Sequence, residues 1–493
     1  MDVLVVPPLA DLTTEVVPPA GMALLDLGEH LVRRLADPAR LRAAADRHAG
    51  GPLTALFGRA AAAILERRAY DDACLRAVGT ALGLAADPAV RLAVDGLELT
   101  EGSQESSRDV LGAALRCELF APEIELARRV VAGRRAHVAV DCADQLPAAF
   151  ALVAALGERV TLCGRYVAEH RGALRRVPEL SAVRWGSWSP ERVIRPRWYG
   201  GSPGPARRRP GGTGEDGPAA GSGRGGVEPV RWIDDDRPLP GDGAAWAGRL
   251  DAARAAALPP EALARCRGLT VMVTRADFLG AATGLTGATV DLRRLPAALP
   301  PGVPVTAELA VGAPGVTAEA AGESAELLAE GAAGVRLGGV RAYRLGVRTP
   351  WTAGALVRLP PAPGHDLARW AEFEAPGTIP PQQVAILVRR WQERLPGLPP
   401  GRLAACTVAG PAVPGPPGAA WDPCTEVVAG AGPDGRGPGT FAVNLRSGRS
   451  IRLHHLLVVP VSRLAADPHA LDGLAEPARR RLTAELAAAG VLR

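Results

Sequence analysis

The chain has 493 residues, 47% hydrophobic and 22% charged, with a formal charge of +5, which suits a soluble protein of two or three domains with separate cores. All 57 basic side chains are arginine. Without a lysine, phosphate-loop, Schiff-base and kinase-type lysine chemistry is excluded. The longest apolar runs, such as 456–461, fall far short of a bilayer span, and the amino terminus lacks a basic leader region. A cytoplasmic protein without membrane contact is expected. Arg207–Arg209 form a basic run in a Gly/Pro-rich stretch without interleaved aromatics, so no nucleic-acid partner is expected either.

In chain order, Asp2–Val6 reads as a short buried strand ending at Pro7 and Pro8. Residues 20–35 carry apolar positions at helical spacing. Asp46–Gly51 fits the Asp-x-His-x-x-Gly string that supplies a cobalt-ligating histidine in some proteins. It ends a helical run, however, so Gly50 reads as a helix stop and cobalt ligation by His48 is not expected. Ser103, Ser106 and Ser107 read as a helix start, since no Gly-x-Ser-x-Gly surrounds them. Strands are expected over 137–141, 159–164 and 180–185, with a helix over 145–156. That alternation implies a parallel sheet with helices on both faces. Residues 200–228 are Gly/Pro/Ser-rich and read as linker.

Asp234–Asp236, with Arg231 and Arg237 nearby, reads as a solvated acidic loop. Strands are expected over 269–274, 304–311 and 335–345, a helix over 317–330 capped by Thr317, and another over 381–395. Residues 401–465 read mostly as strand and turn, with His454 and His455 adjacent on a strand and facing opposite ways. A helix closes the chain.

The stretch 305–351, with its turn Gly312-Ala313-Pro314-Gly315-Val316-Thr317 and later Arg348-Thr349-Pro350, resembles the late βαβ part of a radical S-adenosylmethionine (SAM) barrel. Val3–Ala10 followed by the Pro18–Leu31 segment resembles the start of the cobalamin-binding domain found in the cobalamin-dependent members of that superfamily. Ala139–Asp144 and Thr161–Tyr166 resemble its later strand ends. The resemblance covers most of residues 1–185 and 305–351. It implies an α/β protein: a Rossmann-like cobalamin-binding-type domain over 1–190, a linker with an eroded first barrel element over 191–265, a partial radical-SAM-like barrel over 266–400, and a small β-rich region with a terminal helix over 401–493.

The family holds its iron–sulfur cluster on three cysteines of one loop. Here the cysteines, at 74, 117, 142, 163, 266, 406 and 424, never stand that close in sequence. The resemblance therefore implies a degenerate member without radical chemistry, serving natural-product maturation, with ribosomal peptides first in view. Its partners would be an active radical SAM enzyme or a precursor peptide. It admits cobalamin and SAM as ligands and argues against a cluster. By the rule that ligands sit beyond the carboxyl ends of parallel strands, cobalamin would meet Pro7, Pro8, Leu9, Ala10, Asp141, Cys142, Ala143, Gly164 and Arg165. Gly312, Gly315, Arg344 and Arg348 would face the SAM or substrate side, and Arg341 joins Arg344 and Arg348 as candidates for an anionic ligand, of which at most two share a strand face. Two alternatives stay open: a cobalamin- or SAM-dependent methyltransferase-type enzyme, and an unrelated α/β transferase with two Rossmann-like halves.

Overall fold

A computed structural model describes residues 1–9, 14–47, 51–67, 72–93, 96–194, 229–234, 238–241, 243–277, 280–331, 334–347, 355–394 and 421–492. Ala10, His48, Gly50, the segment 200–228, Arg348 and Cys406 lie outside those residues.

Strand β1 (Val3–Val6) runs into the loop Pro7–Leu9, and β2 (Thr14–Val17) follows. The helix expected over 20–35 divides into β3 (Ala23–Asp26) and α1 (Leu27–Leu35). An apolar run as short as Ala23–Leu25 serves either element, and Asp26 decides the boundary. Its Oδ1 accepts the Glu29 N–H at 2.9 Å, so the helix starts after it. Three helices come next, α2 (Pro38–Asp46), α3 (Pro52–Glu66) and α4 (Asp72–Gly83), then the hairpin β4 (Val90–Ala93) and β5 (Gly96–Leu99). The layer closes with α5 (Ser107–Arg116, capped by Ser106), α6 (Ala121–Val131), β6 (Ala136–Ala139), α7 (Leu146–Leu156), β7 (Val160–Cys163), α8 (Arg165–Leu174) and β8 (Arg184–Trp185).

These strands form a five-stranded, wholly parallel sheet in the order β3-β1-β6-β7-β8. The order reverses between β1 and β6. One face carries Val3, Val5, Val138, Val160 and Leu162 against helices α5 to α8. The other carries Leu4, Val6, Ala139 and Cys163, which meet Val16 of β2, Met22 and Trp188. Helices on both faces were expected, but the β1–β3 crossover contains β2 in place of a helix, and β2 belongs to a second sheet.

That second sheet adds β9 (Glu191–Ile194), β10 (Arg231–Asp234), β11 (Trp246–Asp251), and, after short helices α9 (Ala252–Ala256) and α10 (Pro260–Leu263), β12 (Cys266–Val273). A small sheet of β13 (Arg275–Ala276), β14 (Ala281–Thr283) and β15 (Thr289–Asp291) precedes α11 (Arg294–Ala298). Then come β16 (Val305–Val311), α12 (Ala318–Ala329) and β17 (Arg336–Ala342). Thr317 caps α12 as expected, its Oγ1 accepting the Ala320 N–H at 3.2 Å. The order is β17-β16-β12-β11-β10-β9-β2, parallel from β17 to β10 and antiparallel across β10–β9–β2. Its five parallel strands follow one another in chain order without a reversal. Right-handed crossovers then place every connecting helix on the same side. That side holds the largest core, with Leu250, Leu269, Val271, Val273, Ala307, Leu309 and Val311 at its centre.

Two-residue strands β18 (Leu345–Gly346), β19 (Val357–Arg358), β20 (Trp370–Ala371) and β21 (Phe373–Glu374) pair as β18–β20 and β19–β21. Helix α13 (Pro381–Arg394) packs on β16 and β17 through Val384 and Trp391. Finally β22 (Thr425–Ala431), β23 (Pro438–Asn444) and β24 (Arg449–Leu453) form a meander, followed by α14 (His455–Arg463) and α15 (Glu476–Ala488). His454 and His455 are not on a strand: β24 ends at Leu453, His454 caps α14, and the two rings lie 4.1 Å apart. The meander docks on α3, where Leu56 and Ala60 meet Val428, Phe441 and Val443, and Arg59 donates to the Ala429 carbonyl at 2.6 Å. Among the described residues no helix is long and apolar enough to cross a membrane.

Gly164, between β7 and α8, has φ +102°, and a Cβ there would sit 2.7 Å from the Val140 nitrogen. Gly164→Ala is expected to destabilise the protein by about 3 kcal/mol in urea denaturation, through strain and overpacking together. Gly172→Ala, on the exposed side of α8 with nothing within 4 Å, is expected to be neutral or stabilising by about 0.5 kcal/mol. Equal effects from the two substitutions would contradict the close approach at Gly164.

Candidate functional site

Asp141 follows β6 and is the hub of the carboxyl edge of the five-stranded sheet. Its Oδ1 accepts the Arg165 N–H at 3.0 Å and the Ser189 hydroxyl at 3.1 Å. Its Oδ2 accepts Arg192 Nε at 2.9 Å and Nη2 at 2.7 Å. Arg192 stands on β9 of the other sheet, and its Nη1 donates to Thr14 Oγ1 on β2 at 3.1 Å. Both members of the pair are nearly shut off from water, at 7% and 9% side-chain exposure. The interaction therefore gains strength from the low local dielectric while costing desolvation. Arg165 adds a second link, to Asp234 at the end of β10, at 3.4 Å.

The remaining expected residues fall around this hub. The buried Gln145 accepts the Asp141 N–H at 2.7 Å and donates to the Pro7 carbonyl at 3.2 Å, tying β1 to β6 at the point where strand order reverses. Leu9 adopts φ +68° and is buried, and its carbonyl lies 3.9 Å from Cys142 Sγ. Ala143 opens a single 3-10 turn leading into α7. Pro7, Leu9, Asp141, Cys142, Gly164 and Arg165 are thus brought together, with Pro8 beside them. Gly312 and Gly315 lie apart from them, after β16. Both have positive φ, and a Cβ on Gly312 would lie 2.5 Å from Val384 of α13, so close helix packing accounts for that glycine. Arg344 is exposed, its guanidinium 6.0 Å from the centre of the Trp370 ring.

A second cluster occupies the helix-free face of the seven-stranded sheet. Register places Asp234 beside Arg249 and Met272 beside Glu308. Glu308, on β16, is 1% exposed. It accepts Arg249 Nε at 2.8 Å and Nη2 at 2.5 Å, and it also contacts Arg341 Nε. Burial pushes its carboxyl pKa up, but the charges of Arg249 and Arg341 outweigh that, and the net direction is down. Burial acts on Arg341 in the same sense as a missing counter-charge, lowering its guanidinium despite Glu308. Thr270 and Thr306 bridge hydroxyls at 3.0 Å on the same face.

Gln145, Arg192, Arg249 and Glu308 carry no signal that the sequence reading uses, and Asp234, read as part of a solvated acidic loop, instead ends β10 and pairs with Arg165. The available signal was local: Thr306 and Glu308 alternate with apolar residues in an otherwise apolar strand, which marks one face as polar. Arg341 was singled out, but its partner is Glu308; β17 ends at Ala342, before Arg344.

Among the described cysteines, Cys142, Cys163 and Cys266 are not gathered at one place. Cys163 closes β7 and Cys142 follows β6, at carboxyl ends, whereas Cys266 opens β12 at its amino end. Burial pushes the thiols of both Cys163 and Cys266 up to about 12, away from the thiolate that ligation needs. Among the described residues no three His, Cys, Asp or Glu side chains group as a metal site. The strand edge offers a corrinoid little: the polar groups of Asp141 and Arg165 are engaged with the protein itself, and Gly164 is required by Val140.

Asp141→Asn is expected to leave the Arg192 charge without its counter-charge and to destabilise the fold by about 3–5 kcal/mol in chemical denaturation. A loss below about 0.5 kcal/mol would mean that the pair does not join the sheets. Cys163 and Cys266 are expected to resist iodoacetamide at pH 8 until the chain unfolds, because a thiol of pKa near 12 is ionised there in only roughly one molecule in ten thousand. Peptide mapping by mass spectrometry reads this directly, and rapid labelling in the native state would contradict the burial.

Comparison with known proteins brings no match: no family model, no curated protein and no solved structure is similar to the chain.

Proposed function

We propose that the chain is a degenerate member of the cobalamin-binding radical SAM superfamily that binds or scaffolds without radical chemistry. Its setting is natural-product maturation, with an active radical enzyme or a precursor peptide as partner. The observation that carries this reading is the pairing of two strand orders in one chain. The first sheet, with its parallel strands renumbered in chain order, runs 2-1-3-4-5, the doubly wound order that places a ligand site at the reversal. The second runs its five parallel strands in simple succession, the winding of a (β/α) barrel opened at one side, with a polar face where a barrel interior would be. Two Rossmann-like halves would instead require a reversal in both sheets; the reversal in only the first supports the reading, while the second sheet is open, with β9 and β2 added antiparallel at its edge.

The first of those successive strands is β10. In the family the cysteine loop follows the first barrel strand; here residues 235–245 occupy that place without a cysteine. The chemistry that depends on a cluster therefore has no ligands at its usual position. Cobalamin is not required by this reading, because the groups at the strand edge are satisfied within the protein.

The test is anaerobic purification with cobalamin, iron and sulfide supplied, followed by incubation with SAM and dithionite. The expected result is neither corrin nor broad cluster absorption, and no 5′-deoxyadenosine. Release of 5′-deoxyadenosine, or a cluster band abolished by substituting Cys142, would overturn the reading. Stoichiometric corrin bands would overturn its cofactor-free form in favour of a cobalamin enzyme.

A further inference from the structure

We propose that Arg249 and Arg341, held by Glu308, form a binding site for a carboxylate group on the helix-free face of the seven-stranded sheet. The site stands on its own geometry and does not depend on the ancestry argued above. Its three charged groups are two guanidinium groups and one carboxylate, which leaves one positive charge over. The neighbouring acids face other partners: Asp234 the guanidinium of Arg165 at 3.4 Å, and Asp251 the backbone N–H groups of Ala253 and Leu285, donors that leave its charge in place.

Donors are also left over. Arg341 Nε is shielded from solvent and held against Glu308, which leaves Nη1 unused, while Nη2 rests 3.6 Å from Met272 Sδ, a weak acceptor. Arg249 spends only Nε and Nη2 on Glu308. The two arginines reach solvent, at 26% and 27% side-chain exposure, whereas Glu308 beneath them is 1% exposed. An entering oxyanion therefore meets two guanidinium groups already fixed by a buried acid, and little side-chain entropy remains to be lost.

The charge selects the ligand class. One surplus positive charge matches one carboxylate, and guanidinium groups take planar carboxylates through paired hydrogen bonds. A phosphate dianion would leave a net negative charge in a half-buried place. A free organic acid and an acidic side chain of a peptide present the same group. Titration calorimetry with acetate, with an N-acetylated and C-amidated Ala-Glu-Ala peptide, and with inorganic phosphate separates the sources.

Binding of acetate or of the peptide is expected, stronger than binding of phosphate, and weakened at least about tenfold by Arg341→Gln, which keeps the Arg249–Glu308 pair intact. Glu308→Gln removes the resident competitor and is expected to tighten carboxylate binding and to gain thermal stability on adding acetate. If that variant does not fold, Arg341→Gln carries the test by itself. Arg129→Gln, on the exposed side of α6, is expected to leave binding unchanged. Binding of neither carboxylate, tighter binding of phosphate, or equal binding by wild type and Arg341→Gln would overturn the site.

Discussion

A parallel sheet whose strands are laid down in chain order has a geometric consequence. Each right-handed crossover returns its helix to the same side, so the opposite side receives none. From β10 to β17 the chain obeys this rule, and α9 to α12 bury Leu250, Leu269, Val271 and Leu309 on one face. The other face must be covered by something else. Here it carries a small apolar cluster of Ile194, Trp232 and Ala247 and, toward β16 and β17, charged and hydroxyl side chains, and the first sheet is fastened to it at its edge by Asp141 and Arg192.

The fastening is an economy of one crossover. Where the doubly wound order calls for a helix between β1 and β3, the chain supplies β2, which joins the second sheet through β9. The two layers thus share a strand connection, a buried ion pair and the Arg165–Asp234 contact. Buried ion pairs of this kind contribute little net stability, since desolvation offsets much of the Coulomb attraction. Breaking one partner is nevertheless severe, which fits a role in fixing how the sheets meet.

The sequence exposed much of this, unevenly. Strands near 136–139, 160–163 and 305–311 were legible because each is a short apolar run bounded by Gly, Asp or Pro. The α12 cap at Thr317 was legible because capping chemistry is local. By contrast, β3 was hidden inside a helical-looking apolar stretch, and β2 is four residues whose strand character depends on pairing with a segment more than 170 positions later. His454 and His455 looked like strand residues because the following Leu-Leu-Val-Val run favours strands, yet the chain turns into α14 there and carries Pro460 within it. Arg192, Arg249 and Glu308 were invisible as a group because they come from three strands, and only the sheet order brings their side chains to one face.

The most direct measurement is long-wavelength anomalous diffraction from crystals of the intact chain, which locates the sulfur atoms. The account predicts the Met272 sulfur beside Arg341 on a face without helices, Cys142 and Cys163 at the carboxyl ends of the first sheet, and Cys266 at the amino end of β12. Three cysteine sulfurs gathered around one iron-rich peak, or a helix lying over Glu308, would contradict it.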